Sequence, residues 1–274
     1  MKGKKEIKVA VIDMNNGFPN LGIKGITDVL SDYAKEHDIT LSADIFDLRL
    51  KNEIPGTDYD IYISSGGPGS PLDGKNETWE NSFSTLLDDI EAYNLSHQHK
   101  KHVFLICYSF QLACRKYGIG KISRRKSGVF GILPVTLTKE GKEDIIFKGL
   151  PDPFYAVDSR EWQVTNPDAK PFSTPEAQVL AIEKDRPGLD MERCMMSVRF
   201  SNEFAGTQFH PEANPEDIRT YLLEEDKKET VIADHGEEKY DDILSQLDNP
   251  NGVKRTRQQI LPNFLTAAIQ SLNS

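Results

Sequence analysis

Four short runs rich in β-branched and aliphatic residues, Lys8 to Met14, Thr40 to Leu48, Tyr59 to Ser64 and His102 to Cys107, alternate with stretches whose apolar residues recur every three or four positions. No other feature restricts the fold as strongly. A strand, an amphipathic helix and a second strand form a βαβ unit, which requires parallel pairing and covers a sheet face with the helix. The clearest helical stripe carries Trp79, Phe83, Leu86, Leu87, Ile90 and Tyr93; a second carries Ile23, Ile26, Val29, Leu30 and Tyr33 and ends at the polar break Glu36-His37-Asp38. The expectation is an α/β domain with a mostly parallel sheet, helices on both faces, and ligands bound beyond the carboxyl ends of the strands.

From Gly128 to Phe209 the pattern changes to extended runs at 129–138, 154–164, 178–183, 194–200 and 204–209, a strand-rich excursion that returns to the main sheet just before His210. After Pro215 charged helical segments follow at 216–228, 239–247 and 258–272, with a turn-prone Asp248-Asn249-Pro250-Asn251-Gly252 before the last and Pro262 marking a start or kink near it. We read residues 1–220 as one domain and 221–274 as a helical C-terminal extension packed on it.

The 274 residues carry a net charge of -10, which argues against nucleic acid as a partner because phosphate binding relies on Lys and Arg. The basic cluster Arg124-Arg125-Lys126 reads as a solvated loop. No apolar run reaches the roughly 18 residues a membrane span needs, and Met1 to Lys5 lead into only a short apolar stretch, so no membrane association or export is expected. Cys107, Cys114 and Cys194 show no metal-type spacing, which points to a reduced, cytoplasmic protein with neither metal nor cofactor.

Ser64-Ser65-Gly66-Gly67-Pro68-Gly69-Ser70-Pro71 ends the third strand. Glycines there allow a tight turn whose N–H groups converge on an anion. Gly69 to Lys75 fits the start of a phosphate loop, but Asn76 stands where a magnesium-binding hydroxyl belongs and Pro71 lacks an N–H, so an oxyanion loop is the better reading. Cys107 closes the fourth run just before a helix start at Tyr108, where the helix terminus favours thiolate. A lone cysteine after an apolar run is more often core; the counterweight is His210-Pro211-Glu212. Residues two apart in extended chain face one way, so Glu212 can hold the imidazole of His210 in one orientation. His235, preceded by Asp234, is a rival base in a segment of poor sheet character.

The set SSGGPGSP, ICYSFQ and GTQFHPE, in that order, resembles the class I glutamine amidotransferases, particularly glutaminase domains of the guanylate-synthase type, over roughly residues 7 to 220. The resemblance implies a flavodoxin-like fold in which Cys107 attacks the glutamine amide, His210 moves protons and Glu212 orients His210. It further implies an oxyanion hole from the N–H groups of Gly67 and Tyr108, with Gly69, Gln111 and, on the strand Val157 to Trp162, Ser159 and Arg160 against the substrate. Leu105 and Ser109 stand where the family usually has glycine, and Phe110 and Arg160 where histidine is frequent. The departures leave three outcomes open: a glutaminase of adjusted geometry, an enzyme for another γ-glutamyl amide such as a glutathione-like peptide, or a weakly active binding protein. With no acceptor domain evident, ammonia from a glutaminase would go to a separate synthase chain.

Overall fold

In a computed structural model that describes residues 6–19, 21–166, 176–185, 192–249 and 252–273, the strands assemble into one nine-stranded sheet. Met1 to Lys5, and Pro250-Asn251 of the turn-prone segment, lie outside the described residues. The strands are β1 (Ile7–Asp13), β2 (Leu41–Asp47), β3 (Ile61–Ser64), β4 (His102–Ile106), β5 (Lys121–Leu137), β6 (Phe154–Thr165), β7 (Gln178–Glu183), β8 (Met195–Arg199) and β9 (Phe204–Thr207). Their order is β2-β1-β3-β4-β9-β8-β7-β5-β6. The first five run parallel; from β9 outward each pair is antiparallel. The strand-rich excursion therefore extends the main sheet instead of forming a layer of its own.

Helices α1 (Gly22–Glu36) and α3 (Thr78–Ser96) are the crossovers, and α4 (Tyr108–Lys116) leaves the end of β4. Side-chain alternation along the parallel strands divides the interior in two. Val9, Val11, Phe104 and Ile106 face α1, whereas Ala10, Ile12, Val103 and Leu105 face α3 and α4. Because β3, β4 and β9 are consecutive in the sheet, the glycine-rich segment, Cys107 and the chain leading to His210 all emerge at one edge.

The remaining helices are α2 (Leu48–Lys51), α5 (Lys139–Glu143), α6 (Pro215–Leu223), α7 (Glu225–His235), α8 (Glu237–Leu247) and α9 (Val253–Leu272). Glu224 is extended and caps α7, so the helix expected over 216–228 is two. The last helix starts at Val253 and runs through Pro262. Pro262 costs about 3 kcal/mol there. Burial of Ile260, Leu261, Phe264, Leu265 and Leu272 against the α1 side of the sheet, at roughly 1.5–3 kcal/mol each, outweighs it. No helix among the described residues is long and apolar enough to cross a membrane.

The basic cluster departs from the solvated loop expected of it. It lies in β5, where Arg124 meets Glu161 at the surface but Arg125 is buried against Glu183 at 3.1 Å, because β7 presents a carboxylate beside it.

His102 is buried at the start of β4, its ring edge-on to Phe264 and its Nε2 without a hydrogen-bond partner among the described residues. Burial, with the Arg199 and His99 charges adding, pulls its pKa down to about 4. A histidine lowered in this way contributes stability above its unfolded value, near 6.5, that is lost as pH falls through the folded one. Acidification from pH 6.5 to 4 is expected to cost on the order of 3 kcal/mol from this group. Urea midpoints at the two ends of that range should fall less for His102→Phe than for the parent.

Candidate active site

Cys107 has φ 49° and ψ -97°, a left-handed conformation that an L-residue adopts only under constraint. The constraint comes from both sides. Its N–H donates to the Thr207 carbonyl at 2.7 Å, and its carbonyl accepts from Gln111 N at 3.0 Å in the first turn of α4. Ser109 ties the same turn: its hydroxyl accepts from Ile106 N at 2.9 Å and lies 2.9 Å from the Ser64 carbonyl, to which it can donate. A serine in this position thus braces the turn and links β4 to β3. Leu105 likewise finds its room across the sheet. It pairs with Gly206, where a Cβ would stand 2.8 Å from the Leu105 carbonyl and 3.0 Å from the Phe110 ring.

His210 bridges to β6 through its N–H on the Val157 carbonyl, 2.9 Å. Its Nδ1 sits 2.8 Å from Glu212 Oε1, and its ring and the Cys107 side chain flank Gly66. Glu212 is buried against α1, where Gly25 leaves the space: a Cβ there would lie 2.6 Å from the Glu212 carbonyl. Burial disfavours the His210 cation, but the Glu212 carboxylate hydrogen-bonded to the ring and the neighbouring Cys107 lift its pKa well above the ordinary histidine value.

The glycine-rich loop passes over this pair. Gly66 fits between them: a Cβ would meet His210 Cε1 at 2.8 Å and Cys107 Cβ at 3.3 Å. Gly67 is pressed onto β1's end, and the loop is stapled there by Ser65 Oγ accepting from Met14 N at 2.9 Å. Arg49, at the start of α2, donates to the carbonyls of Met14 and Pro68 at 2.9 and 2.7 Å, its guanidinium 4.6 Å from the Tyr108 ring centre. The segment after the loop forms turns to Asn76, and α3 begins only at Thr78, so no helix terminus directly follows the phosphate-loop-like stretch.

Gly67→Ala would put a Cβ 2.1 Å from the Met14 carbonyl oxygen, backbone against backbone. The loop must then shift its N–H groups. With the Gly67 N–H in the oxyanion role that the resemblance implies, its loss is expected to lower kcat by roughly 10²–10³, checked by steady-state ammonia release at saturating glutamine.

A cavity of about 430 Å³ opens from Cys107 and is bounded by Gly67, Gly69, Tyr108, Gln111, Ser159 and Arg160 together with the outer residues Phe130, Glu161, Trp162 and His235. The Ser159 carbonyl lies 4.0 Å from Cys107 Sγ. Arg160 borders the cavity, but its guanidinium is buried on Asp158 at 2.9 Å, with Glu183 at 3.9 Å and Cys194 at 3.6 Å. His235 lines the cavity from α7 stacked on Phe130, ring centres 4.6 Å apart, whereas His210 is the imidazole that flanks Gly66 opposite Cys107. Sequence reasoning missed Arg49, Gly25 and Gln208. Only Gln208 carried a signal, lying two residues before His210 in extended chain and so on the same face.

The comparisons with known proteins bear on the fold and the family. No curated protein matches the chain significantly. Among solved structures, a glutamine amidotransferase from Thermotoga maritima superposes with a TM-score of 0.65 at 16% identity, over 98% of this chain and 99% of that one. A glutamine amidotransferase from Methylobacillus flagellatus gives 0.66 at 15% identity, over 98% and 96%. The glutaminase domain of Trypanosoma brucei CTPS, solved with bound acivicin, gives 0.59 at 11% identity, over 96% and 94%. At these identities the likeness speaks for the flavodoxin-like fold. The family model for class-I glutamine amidotransferases matches residues 23–229, most of the chain from α1 to α7. The chain belongs to the class-I glutamine amidotransferases.

Proposed function

We propose that this protein hydrolyses the side-chain amide of glutamine through a thioester on Cys107. The observation that carries the reading is Cys107 in its left-handed turn at the N-terminus of α4, set across Gly66 from an imidazole that Glu212 holds. The sulfur attacks the amide carbon, its proton having passed to His210. The carbonyl oxygen gains the negative charge and turns to the N–H groups of Gly67 and Tyr108. His210 then gives its proton to the leaving nitrogen, the carbon–nitrogen bond breaks, and ammonia departs. Water, deprotonated by His210, attacks the thioester and frees glutamate and Cys107. Gly69, Gln111, Ser159 and Arg160 hold the substrate, Arg160 through its main chain because its guanidinium is engaged by Asp158.

Ammonia released here needs an acceptor, which we assign to a separate synthase chain. We assign residues 1–220 to the catalytic domain and 221–274 to an extension packed on it, consistent with α9 sharing the core of α1. Three unpaired cysteines suit a reducing cytoplasm.

A second reading, a γ-glutamyl peptidase, is favoured by the cavity's extent past Ser159 to Phe130 and His235, which leaves space for a leaving group larger than ammonia. Glutamate release from glutamine and from γ-glutamyl peptides, compared at equal concentration, separates the two. Higher kcat/KM with glutamine supports the amidohydrolase, and higher kcat/KM with the peptides supports the peptidase. Release from neither, with ligand binding retained, makes it a binding protein.

A further inference from the structure

Gln208 is fully buried between two residues already placed at the site. Its Oε1 accepts from Gln111 Nε2 at 3.0 Å, and the same Gln111 nitrogen donates to the Trp162 carbonyl at 3.1 Å. A backbone carbonyl can only accept, so it fixes which end of the Gln111 amide faces it. The two hydrogens of that amide nitrogen then go to Trp162 and to Gln208, which must present its oxygen. The NH₂ group of Gln208 is left facing Cys107 Sγ, 3.6 Å away. The sulfur thus meets the Gln208 amide on one side and the Ser159 carbonyl, at 4.0 Å, on another, and Gln208 stands two residues before His210 in the chain.

We propose that Gln208 is a catalytic residue that donates an N–H to the Cys107 sulfur, and that Gln111 and the Trp162 carbonyl are positioning groups that fix its amide. The proposal rests on the reading of Cys107 as nucleophile. A donor held on the sulfur stabilises the thiolate before attack, and a buried donor needs no reorganisation to do so. The relay also ties β6, a wall of the substrate cavity, to the nucleophile through two side chains. Gln111 consequently has two tasks, contact with the substrate and orientation of Gln208.

The test compares the full-length parent with Gln208→Met, Gln208→Leu and Gln111→Leu. Three quantities are read: the alkylation rate of Cys107 by iodoacetamide at neutral pH, located by peptide mapping; kcat and KM for glutamine; and the urea midpoint. Gln208→Met, close in length and without a donor, is expected to slow alkylation and lower kcat by about 10- to 100-fold with KM little changed. Gln111→Leu is expected to slow alkylation less and to raise KM as well. Parental alkylation rates in the folded Gln208 variants overturn the proposal, including when only the urea midpoint falls, since that outcome is a packing role. If neither Gln208 variant folds, Gln111→Leu decides, and alkylation at the parental rate there overturns the relay. A parent that alkylates rapidly yet releases no ammonia refutes the proposed function and leaves the alkylation comparison still able to support or overturn the donor.

Discussion

Cys107→Ala is expected to bring ammonia release from glutamine to background, a loss of roughly 10⁴-fold or more in kcat, with little change in unfolding midpoint. The size of the effect follows from what alanine cannot do. Binding and the oxyanion donors survive, but no acyl group can be transferred, so only water attack on the bound amide remains. Stability is spared because Cys107 contributes a small side chain at the cavity wall and its left-handed turn is held through main-chain bonds to Thr207 and Gln111. Ser109→Ala makes the contrast: it leaves the sulfur in place but removes the hydroxyl that joins Ile106 to Ser64. A buried pairing of this kind is worth about 1 kcal/mol, so Ser109→Ala is expected to lower the midpoint more than Cys107→Ala while retaining measurable turnover.

His210→Gln is the second large effect, with an expected drop of roughly 10²–10⁴ in kcat. Every proton transfer in the proposed cycle passes through this ring, and glutamine can hydrogen-bond without exchanging a proton. The variant should also react more slowly with iodoacetamide, because the base that takes the sulfur's proton is gone. Its stability should change with pH in a definite sense. His210 has its folded pKa raised by Glu212 and Cys107 against the effect of burial. A raised histidine adds stability that is complete below its unfolded value, about 6.5, and fades as pH rises through the folded one. The difference in urea midpoint between parent and His210→Gln is therefore expected to be largest near pH 6 and to shrink toward alkaline pH. It acts in the opposite direction to His102, whose contribution disappears on acidification.

The parallel half of the sheet was legible because its strands are short and β-branched and their helices carry unbroken stripes; the expected Thr40 to Leu48 and His102 to Cys107 appear as β2 and β4 with ends shifted by a residue. The motifs drew Cys107, His210 and Glu212 together as candidates for the same reason, since each follows the end of a strand in the parallel part of the sheet. What stayed hidden depends on contacts distant in the chain. Arg125 reads as solvated until β7 supplies Glu183. Leu105 stands as a departure from the family's glycine until Gly206 is found opposite it. Arg49 has no local signal at all, being defined by two carbonyls that the fold brings to it. Pro262 misleads because local propensity is overridden by the face that α9 buries.

Acid-quenching the protein during turnover of glutamine, followed by mass spectrometry of its peptides, tests the acyl-transfer chemistry most directly. A γ-glutamyl group on the peptide that contains Cys107, absent in Cys107→Ala, is the predicted result. Sustained ammonia release with no acyl group on that peptide, or with the group on another residue, would contradict it.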